Sequence, residues 1–410
     1  MVEDRRTLLV RITGRDQPGI TAAMLDVLAA AGADVYDMEQ VTTRGRLSLD
    51  LLVGLPDGDT VLKEVLFLAN ERDLSVDFEP VEPRPPGPAP ARHAITVIGQ
   101  PLTAGALAAV AGEIAGSGAN IDRITRLSRY PVVSYELVVS GGDSGALQAG
   151  LLRTSHDHGI DVALQREGLE RRAKRLVVLD VDSTLVQDEM VELLAEEAGR
   201  AEEVRRLTAA AMAGDLDYET ALRERVSLLR GLEADALERV RGRLRLTPGA
   251  RTFVRTLKRL GFRLAIVSGG FTVFTDRLRE ELGIDHAYAN ELEVADGRLT
   301  GGLVGRIVDR ARKAEILEEV AVLEGVPLEQ SVAIGDGAND LDMLAKAGLG
   351  IAFNAKPVVR DAADTAVSVP YLDAVLFVLG IRRDEVEAAD ADADDATVAQ
   401  PAPAPGTPPV

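Results

Sequence analysis

The sequence contains neither cysteine nor tryptophan among its 410 residues. The absence of cysteine excludes disulfides, thiolate nucleophiles and thiolate metal ligands, and it fits a reducing cytoplasm, which is the compartment expected. Aromatic residues make up only 3% of the chain, so the core must be built from Leu, Val, Ile and Ala. Positive charge is in deficit: the formal net charge is −20, and residues 384–410 hold seven acidic residues and no basic one. A surface of that sign repels polyphosphate backbones and anionic bilayers, so neither nucleic acid nor membrane is an expected partner, and small molecules are favoured. No apolar run reaches the ~18 residues that would suggest a membrane span, and the first residues do not read as a signal-peptide core. The only four histidines, His93, His156, His158 and His286, have no metal-ligand spacing.

What is present reads as several domains, since this length accommodates roughly two to four at about 100–200 residues each. Pro and Gly crowd residues 80–90, a composition suited to an extended linker. Before it, strand patterns at 8–13, 35–43, 47–53 and 74–78 alternate with helical patterns at 18–31 and 60–70, giving the order βαββαβ. The same order returns at 94–98, 103–116, 121–127, 132–139, 144–156 and 160–164, so two copies of one α+β unit are expected. From Arg175 the pattern changes to apolar strand runs at 176–179, 263–267 and 331–334 separated by amphipathic helices, which predicts a buried, doubly wound parallel α/β sheet. Residues 189–246 lack strand signals and read as an inserted helical cap. The boundaries expected are 1–80, a linker at 81–92, 93–168, 169–383, and a disordered acidic tail at 384–410.

The chemistry sits where strands end. Asp180 and Asp182 follow the run 176–179 in Asp180-Val181-Asp182-Ser183-Thr184, at the carboxyl end of a strand, where open α/β sheets bind ligands. Two adjacent carboxylates repel unless a proton or cation intervenes, and Mg2+, a hard ion with oxygen ligands, answers that need. Asp336 in Gly335-Asp336-Gly337-Ala338-Asn339-Asp340 follows its strand in the same way and becomes a further metal carboxylate, with Asp340 supporting the metal shell and Asn339 contacting phosphate or substrate. Ser268, Gly269 and Gly270 end a strand and open a helix, where a hydroxyl and backbone N–H groups can hold phosphate oxygens. Lys313 supplies a compact cation for the same anion. Each piece alone is also ordinary turn or surface chemistry; their order and placement together point to phosphoryl transfer.

This set resembles the haloacid dehalogenase superfamily over about residues 176–383. The resemblance implies that Asp180 is the nucleophile that becomes an aspartyl-phosphate and that Asp182 is the general acid and then base. It further implies that the metal is held by Asp180 and Asp336 side chains and by the Asp182 backbone carbonyl. Through Asp180-Val181-Asp182-Ser183-Thr184-Leu185-Val186, Glu189, Leu222-Arg223-Glu224-Arg225-Val226-Ser227-Leu228-Leu229 and Val267-Ser268-Gly269-Gly270-Phe271, the chain is similar to the phosphoserine phosphatase family. That implies hydrolysis of O-phospho-L-serine, the last step of serine biosynthesis, with Glu189 on the ammonium and Arg225 on the carboxylate. Met212 and Tyr218 are candidates for the cap face. A phosphatase for another small phosphomonoester, and an amino-acid sensor with a vestigial phosphatase body, remain the alternatives.

The βαββαβ repeats, with Ile12-Thr13-Gly14-Arg15-Asp16-Gln17-Pro18-Gly19-Ile20 between first strand and first helix, resemble ACT domains over about residues 7–168. The resemblance implies ferredoxin-like modules that bind amino acids at paired interfaces. L-serine as an allosteric inhibitor and a homodimer are therefore expected, with Asp16 and Gly19 as effector residues. The matching stretch in the second unit, Ile98-Gly99-Gln100-Pro101-Leu102-Thr103, lacks the Asp-x-Pro-Gly order and is not expected to bind in the same way.

Overall fold

The structure, a computed structural model, describes residues 5–56, 60–82, 90–213 and 217–398. Most of the Pro-rich segment, the Met212 side chain and residues 399–410 fall outside what it describes. The chain divides into two compact units, Met1–Ala89 and Pro90–Val410.

The first unit runs β1 (Arg6–Arg15), α1 (Ile20–Ala30), β2 (Asp34–Thr43), β3 (Arg46–Leu55), α2 (Thr60–Glu71) and β4 (Leu74–Pro80), an antiparallel sheet in the order β2-β3-β1-β4. Alternation in β1 and β3 turns Leu8, Val10, Ile12, Leu49, Leu51 and Val53 to one face, where Ile20, Met24 and Leu28 of α1 cover them. The edge strand β2 is exposed along its whole length and leaves Val35, Tyr36, Met38 and Val41 uncovered.

The second unit begins with β5 (Arg92–Gly99), α3 (Ala104–Gly116), β6 (Ala119–Ser128), β7 (Val133–Gly141), α4 (Ser144–His158) and β8 (Asp161–Arg166), and its order β6-β7-β5-β8 repeats the first module strand for strand. Here the sheet is covered on both faces. Ile95, Val97, Leu137 and Val139 pack against α3 and α4, while Ile98, Leu127, Val132 and Ala163 join the apolar core of the larger α/β body. Gln165 Nε2 donates to the Val378 carbonyl at 2.8 Å, and the Ser368 N–H donates to Asp161 at 2.7 Å. The second copy is thus built into the body that follows it.

A short α5 (Leu169–Arg172) leads into β9 (Leu176–Leu179), then the cap helices α6 (Met190–Glu197), α7 (Ala201–Ala213), α8 (Tyr218–Ser227) and α9 (Asp235–Arg241). The chain returns through α10 (Ala250–Arg259), β10 (Arg263–Phe271), α11 (Thr272–Leu282), β11 (His286–Ala295), β12 (Arg298–Val304) and α12 (Arg310–Glu324). It ends with β13 (Ser331–Gly335), α13 (Leu341–Lys346), β14 (Gly350–Phe353), α14 (Pro357–Ala362), β15 (Thr365–Val367), α15 (Val375–Val378) and α16 (Arg383–Val398). The sheet order is β12-β11-β10-β9-β13-β14-β15, parallel except for β12, which runs antiparallel to β11. That hairpin was not read from the sequence, because Glu291, Glu293, Asp296 and Arg298 break its apolar pattern on a half-exposed edge. The cap leaves and returns side by side: Val186 bridges Leu246, and Arg245 binds Asp188 through its backbone N–H and guanidinium.

The tail expected to be disordered over 384–410 is helical as far as Val398. Alanines favour the helix, acidic residues in its first turn suit the helix dipole, and Asp390 pairs with Arg255 and Arg259 of α10.

Candidate active site

All four residues of β9 are fully buried at the centre of the sheet. Each such side chain contributes about 1.5–3 kcal/mol, enough to fix the strand and therefore the position of the residue that ends it. That residue is Asp180, whose N–H donates to the Ile334 carbonyl of β13 at 2.8 Å. The chain then turns sharply, with Ser183 at φ 58°, a left-handed conformation uncommon for a non-glycine residue and often found at functional sites.

The turn sends the two carboxylates to different neighbours. Asp182 accepts from the Met190 N–H at 2.7 Å, where α6 begins, and from Ser268 Oγ at 2.9 Å. Burial, with the Glu189 charge behind it, pushes its carboxyl up to about 6. Asp180 accepts from Lys313 Nζ at 2.7 Å, and Lys313 also donates to Asp340 at 2.6 Å. Lys313 is wholly enclosed. Burial alone would pull its pKa down, but the Asp180 and Asp340 charges outweigh that and hold it above its ordinary value.

One lysine does not balance the acids around it. Carboxylate oxygens of Asp180, Asp336 and Asp340 lie within 4.8 Å of one another. Burial, reinforced by Asp340, raises the Asp180 carboxyl well above its ordinary range, and burial with Asp340 and Glu189 pushes Asp336 up to about 7. Crowded, desolvated oxygens with surplus negative charge are a donor set for a hard divalent cation. Asp182 contributes no side-chain oxygen to this group, whereas Asp340 does, with its second oxygen accepting from the Gly337 N–H at 3.0 Å.

On the other side of Asp180 the backbone of β10 opens a cradle. The Gly270 N–H donates to Ser268 Oγ at 2.7 Å, and a Cβ at Gly270 would stand 2.9 Å from both Ser268 Oγ and the Asp182 carboxylate, so only glycine fits. Asn290 of β11, buried, donates to the Gly269 carbonyl at 2.9 Å and accepts from the Val308 N–H at 2.8 Å. The sequence reading missed Asn290; an asparagine in the strand-like alternation His286-Ala287-Tyr288-Ala289-Asn290 was the available signal, since Asn is disfavoured in strands.

A haloacid dehalogenase-like hydrolase pattern matches residues 177–345, and ACT domain patterns match residues 6–79 and 91–165. The chain is 55% identical over 399 residues to a phosphoserine phosphatase of Streptomyces coelicolor, covering 96% of each chain. It belongs to the phosphoserine phosphatase family. A phosphoserine phosphatase of Mycobacterium tuberculosis is 49% identical over 391 residues, covering 94% of this chain and 96% of the relative. Among solved structures, a probable phosphoserine phosphatase from Vibrio cholerae is similar at TM-score 0.56 and 34% identity, over 70% of this chain and 86% of that one. A haloacid dehalogenase family hydrolase from Salmonella enterica is similar at TM-score 0.61 and 28% identity, over 70% of this chain and 98% of that one.

The remaining expected residues are spread over the cap, the turn after β13 and the first module. Glu189, just before α6, accepts from Ser183 Oγ at 2.8 Å, which ties it to the turn that follows Asp180. Arg225 of α8 is half-buried and donates Nε to the Ala221 carbonyl at 3.2 Å. Asn339 lies against Gly337, where a Cβ would come within 2.1 Å of its side-chain oxygen. In the first module, Asp16 accepts from Thr42 Oγ1 of β2 at 3.3 Å, and Gly19 caps α1 at φ 87°. In the second module, a Cβ at Gly99 would press on Leu102, so the corresponding corner is filled by an apolar side chain.

The raised carboxylates make a pH prediction. A carboxyl whose folded pKa exceeds its ordinary 3.8 stabilises the protein below 3.8 and loses that contribution as pH rises through the folded value, about 6 for Asp182 and about 7 for Asp336. The metal-free protein therefore loses stability between about pH 4 and 7, and a divalent cation restores it by replacing protons. The apparent affinity for an added divalent cation should fall about tenfold per pH unit below about 7, and the rise in Tm on adding that cation should be larger at pH 8 than at pH 5.5. Titration calorimetry and thermal melts at both pH values check this.

Proposed function

We propose that the chain hydrolyses O-phospho-L-serine to L-serine and phosphate through an aspartyl-phosphate on Asp180, with Mg2+ as the metal and inhibition by L-serine through the first ACT module. The observation that carries this reading is the division of labour between the two aspartates: Asp180 faces Lys313 at 2.7 Å, while Asp182 is held apart by the Met190 N–H and Ser268 Oγ. Attack by Asp180 forms an O–P bond as the bond to the serine oxygen breaks, and Asp182 gives its proton to that oxygen. A pKa pushed up to about 6 suits a group that must first give a proton and then take one. In the second half, Asp182 takes a proton from water as the water oxygen attacks phosphorus, and phosphate leaves with Asp180 restored.

Lys313, Ser268 and the Gly269 N–H hold the phosphoryl oxygens throughout, because phosphoryl transfer is catalysed chiefly by placed positive charge and donors. Asp180 and Asp336, with the Asp182 backbone carbonyl, would hold Mg2+, and the Asp340 carboxylate beside them would support that shell; when bound, the ion would neutralise phosphoryl-oxygen charge. Glu189 takes the substrate ammonium, Arg225 its carboxylate, and Asn339 lies at the phosphate side. Among the described residues no helix is long and apolar enough to cross a membrane. The cytoplasm as the site of reaction is supported by the absence of cysteine.

Phosphate release from phosphoserine should require Mg2+ and exceed that from phosphothreonine or sugar phosphates by at least about tenfold in kcat/KM. Equal rates on all three would sink the substrate assignment. The first module is a compact unit by itself, with its exposed edge β2 beside Asp16, which supports a homodimer joined through such modules. Deleting residues 1–89 should leave phosphatase activity and remove allosteric serine inhibition; unchanged inhibition would place the inhibitor in the active site alone.

A further inference from the structure

Helix α8 carries Tyr218 at its start and Arg225 seven residues on, and side chains at that spacing share one helix face. Tyr218 follows Asp217, whose side chain caps the helix by accepting from the Thr220 N–H, so the entry of the tyrosine into the helix is fixed. A Cβ built on Gly269 would stand 2.1 Å from the Tyr218 hydroxyl. The hydroxyl therefore rests directly on the Gly269 backbone, within the cradle formed by Ser268, Gly269 and Gly270, and the cap reaches the sheet through a polar atom. Lys313, Arg225, Asp180 and Asp182 all act electrostatically on this phenol. Burial pushes the phenol up to about 12, so it remains an O–H donor at any working pH. A pure packing residue could lack the oxygen, since a phenyl ring covers the same area without desolvating a hydroxyl.

We propose that the Tyr218 hydroxyl is a phosphate-binding group of the closed cap, donating to a phosphoryl oxygen of the substrate while Arg225, two turns along α8, takes the carboxylate. One cap helix then grips both ends of a short zwitterionic phosphoester. This deepens the phosphoserine reading above and rests on it for the carboxylate end. The phosphoryl end requires only that the Gly269 cradle binds phosphate. Closure of the cap over the site is thereby tied to the presence of a phosphoryl group, and the free amino-acid product, lacking that group, loses one of the two grips.

The test uses the full chain with Mg2+ and compares wild type, Tyr218→Phe and Arg225→Gln. Phenylalanine keeps the ring and removes only the oxygen, so Tm should be unchanged. A hydrogen bond to a charged oxygen predicts that Tyr218→Phe lowers kcat/KM for phosphoserine by about tenfold or more and weakens competitive inhibition by inorganic phosphate by a similar factor. Arg225→Gln should raise the KM for phosphoserine while leaving inhibition by inorganic phosphate intact. Unaltered phosphate inhibition in Tyr218→Phe overturns the proposal, whatever happens to kcat. If the wild type releases no phosphate from phosphoserine, the substrate reading fails on its own; calorimetric binding of inorganic phosphate to wild type and Tyr218→Phe then still decides the role of the hydroxyl.

Discussion

Asp180→Asn is expected to abolish turnover, lowering phosphate release from phosphoserine by about 10^4-fold or more, because in the proposed mechanism an amide oxygen cannot form the phosphoryl-enzyme bond. The same substitution should leave the fold intact and raise the Tm of the metal-free protein. Burial and the neighbouring Asp340 charge already press Asp180 toward its neutral form, and asparagine supplies a neutral side chain of the same shape. Lys313 loses one charged partner but keeps Asp340 at 2.6 Å. Rapid-quench assays with labelled phosphoserine should show no acid-stable protein-bound phosphate, and calorimetry should show retained substrate binding. Normal turnover would remove Asp180 from the mechanism. A lowered Tm would instead mean that the Lys313–Asp180 attraction outweighs the crowding of the acids.

Lys313→Met strikes the same cluster from the opposite side and should cost both activity and stability. It removes, in a fully enclosed position, the one cation that contacts Asp180 and Asp340 among the described residues, leaving buried carboxylates uncompensated. Breaking a buried pair by deleting one partner costs about 3–5 kcal/mol, and losing a preorganised charge on the phosphoryl oxygens costs about 10^2–10^3-fold in kcat. The pH dependence has a definite sign. Lys313 has a folded pKa above its ordinary 10.5, so its contribution is fully present at all pH values below that and is missing from the variant throughout. The orphaned carboxylates can instead take up protons at low pH. The variant should therefore fall furthest below wild type at pH 8 and approach it at pH 5.5, as read from denaturant unfolding without metal. A uniform loss across this range would assign the role of Lys313 to packing instead of charge.

These two residues also mark the reach of the sequence. Asp180 was legible because a continuous apolar run ends at it, and such a run can only be a buried strand in a parallel sheet. Lys313 was legible as a cation of the right family pattern, but nothing in a helix of mixed charge shows that this lysine, alone among its neighbours Arg310 and Arg312, is wholly enclosed. Its enclosure comes from packing α12 against the strand ends. Asn290 and the Met190 N–H were missed for a related reason: Asn290 bonds to Gly269 and Val308 and the Met190 N–H to Asp182, all contacts between distant segments, and only an asparagine out of place in a strand-like run marked the first of them. The acidic tail misled in the other direction, because its composition suits disorder, while the basic residues of α10 that Asp390 meets lie more than a hundred positions away.

By itself, the sequence determined the repeated βαββαβ modules, the parallel sheet with its helical insertion, and the presence at strand ends of acids and glycines, with a lysine, suited to phosphoryl transfer, because each follows from local period, strand-end placement or residue chemistry. Tertiary structure alone decided that the second module is fused to the catalytic body, that Asp182 faces Ser268 while Asp340 joins Asp180 and Asp336, and that the Tyr218 hydroxyl reaches Gly269. Those outcomes depend on which faces are buried against one another, and burial between distant segments leaves no mark on either segment alone.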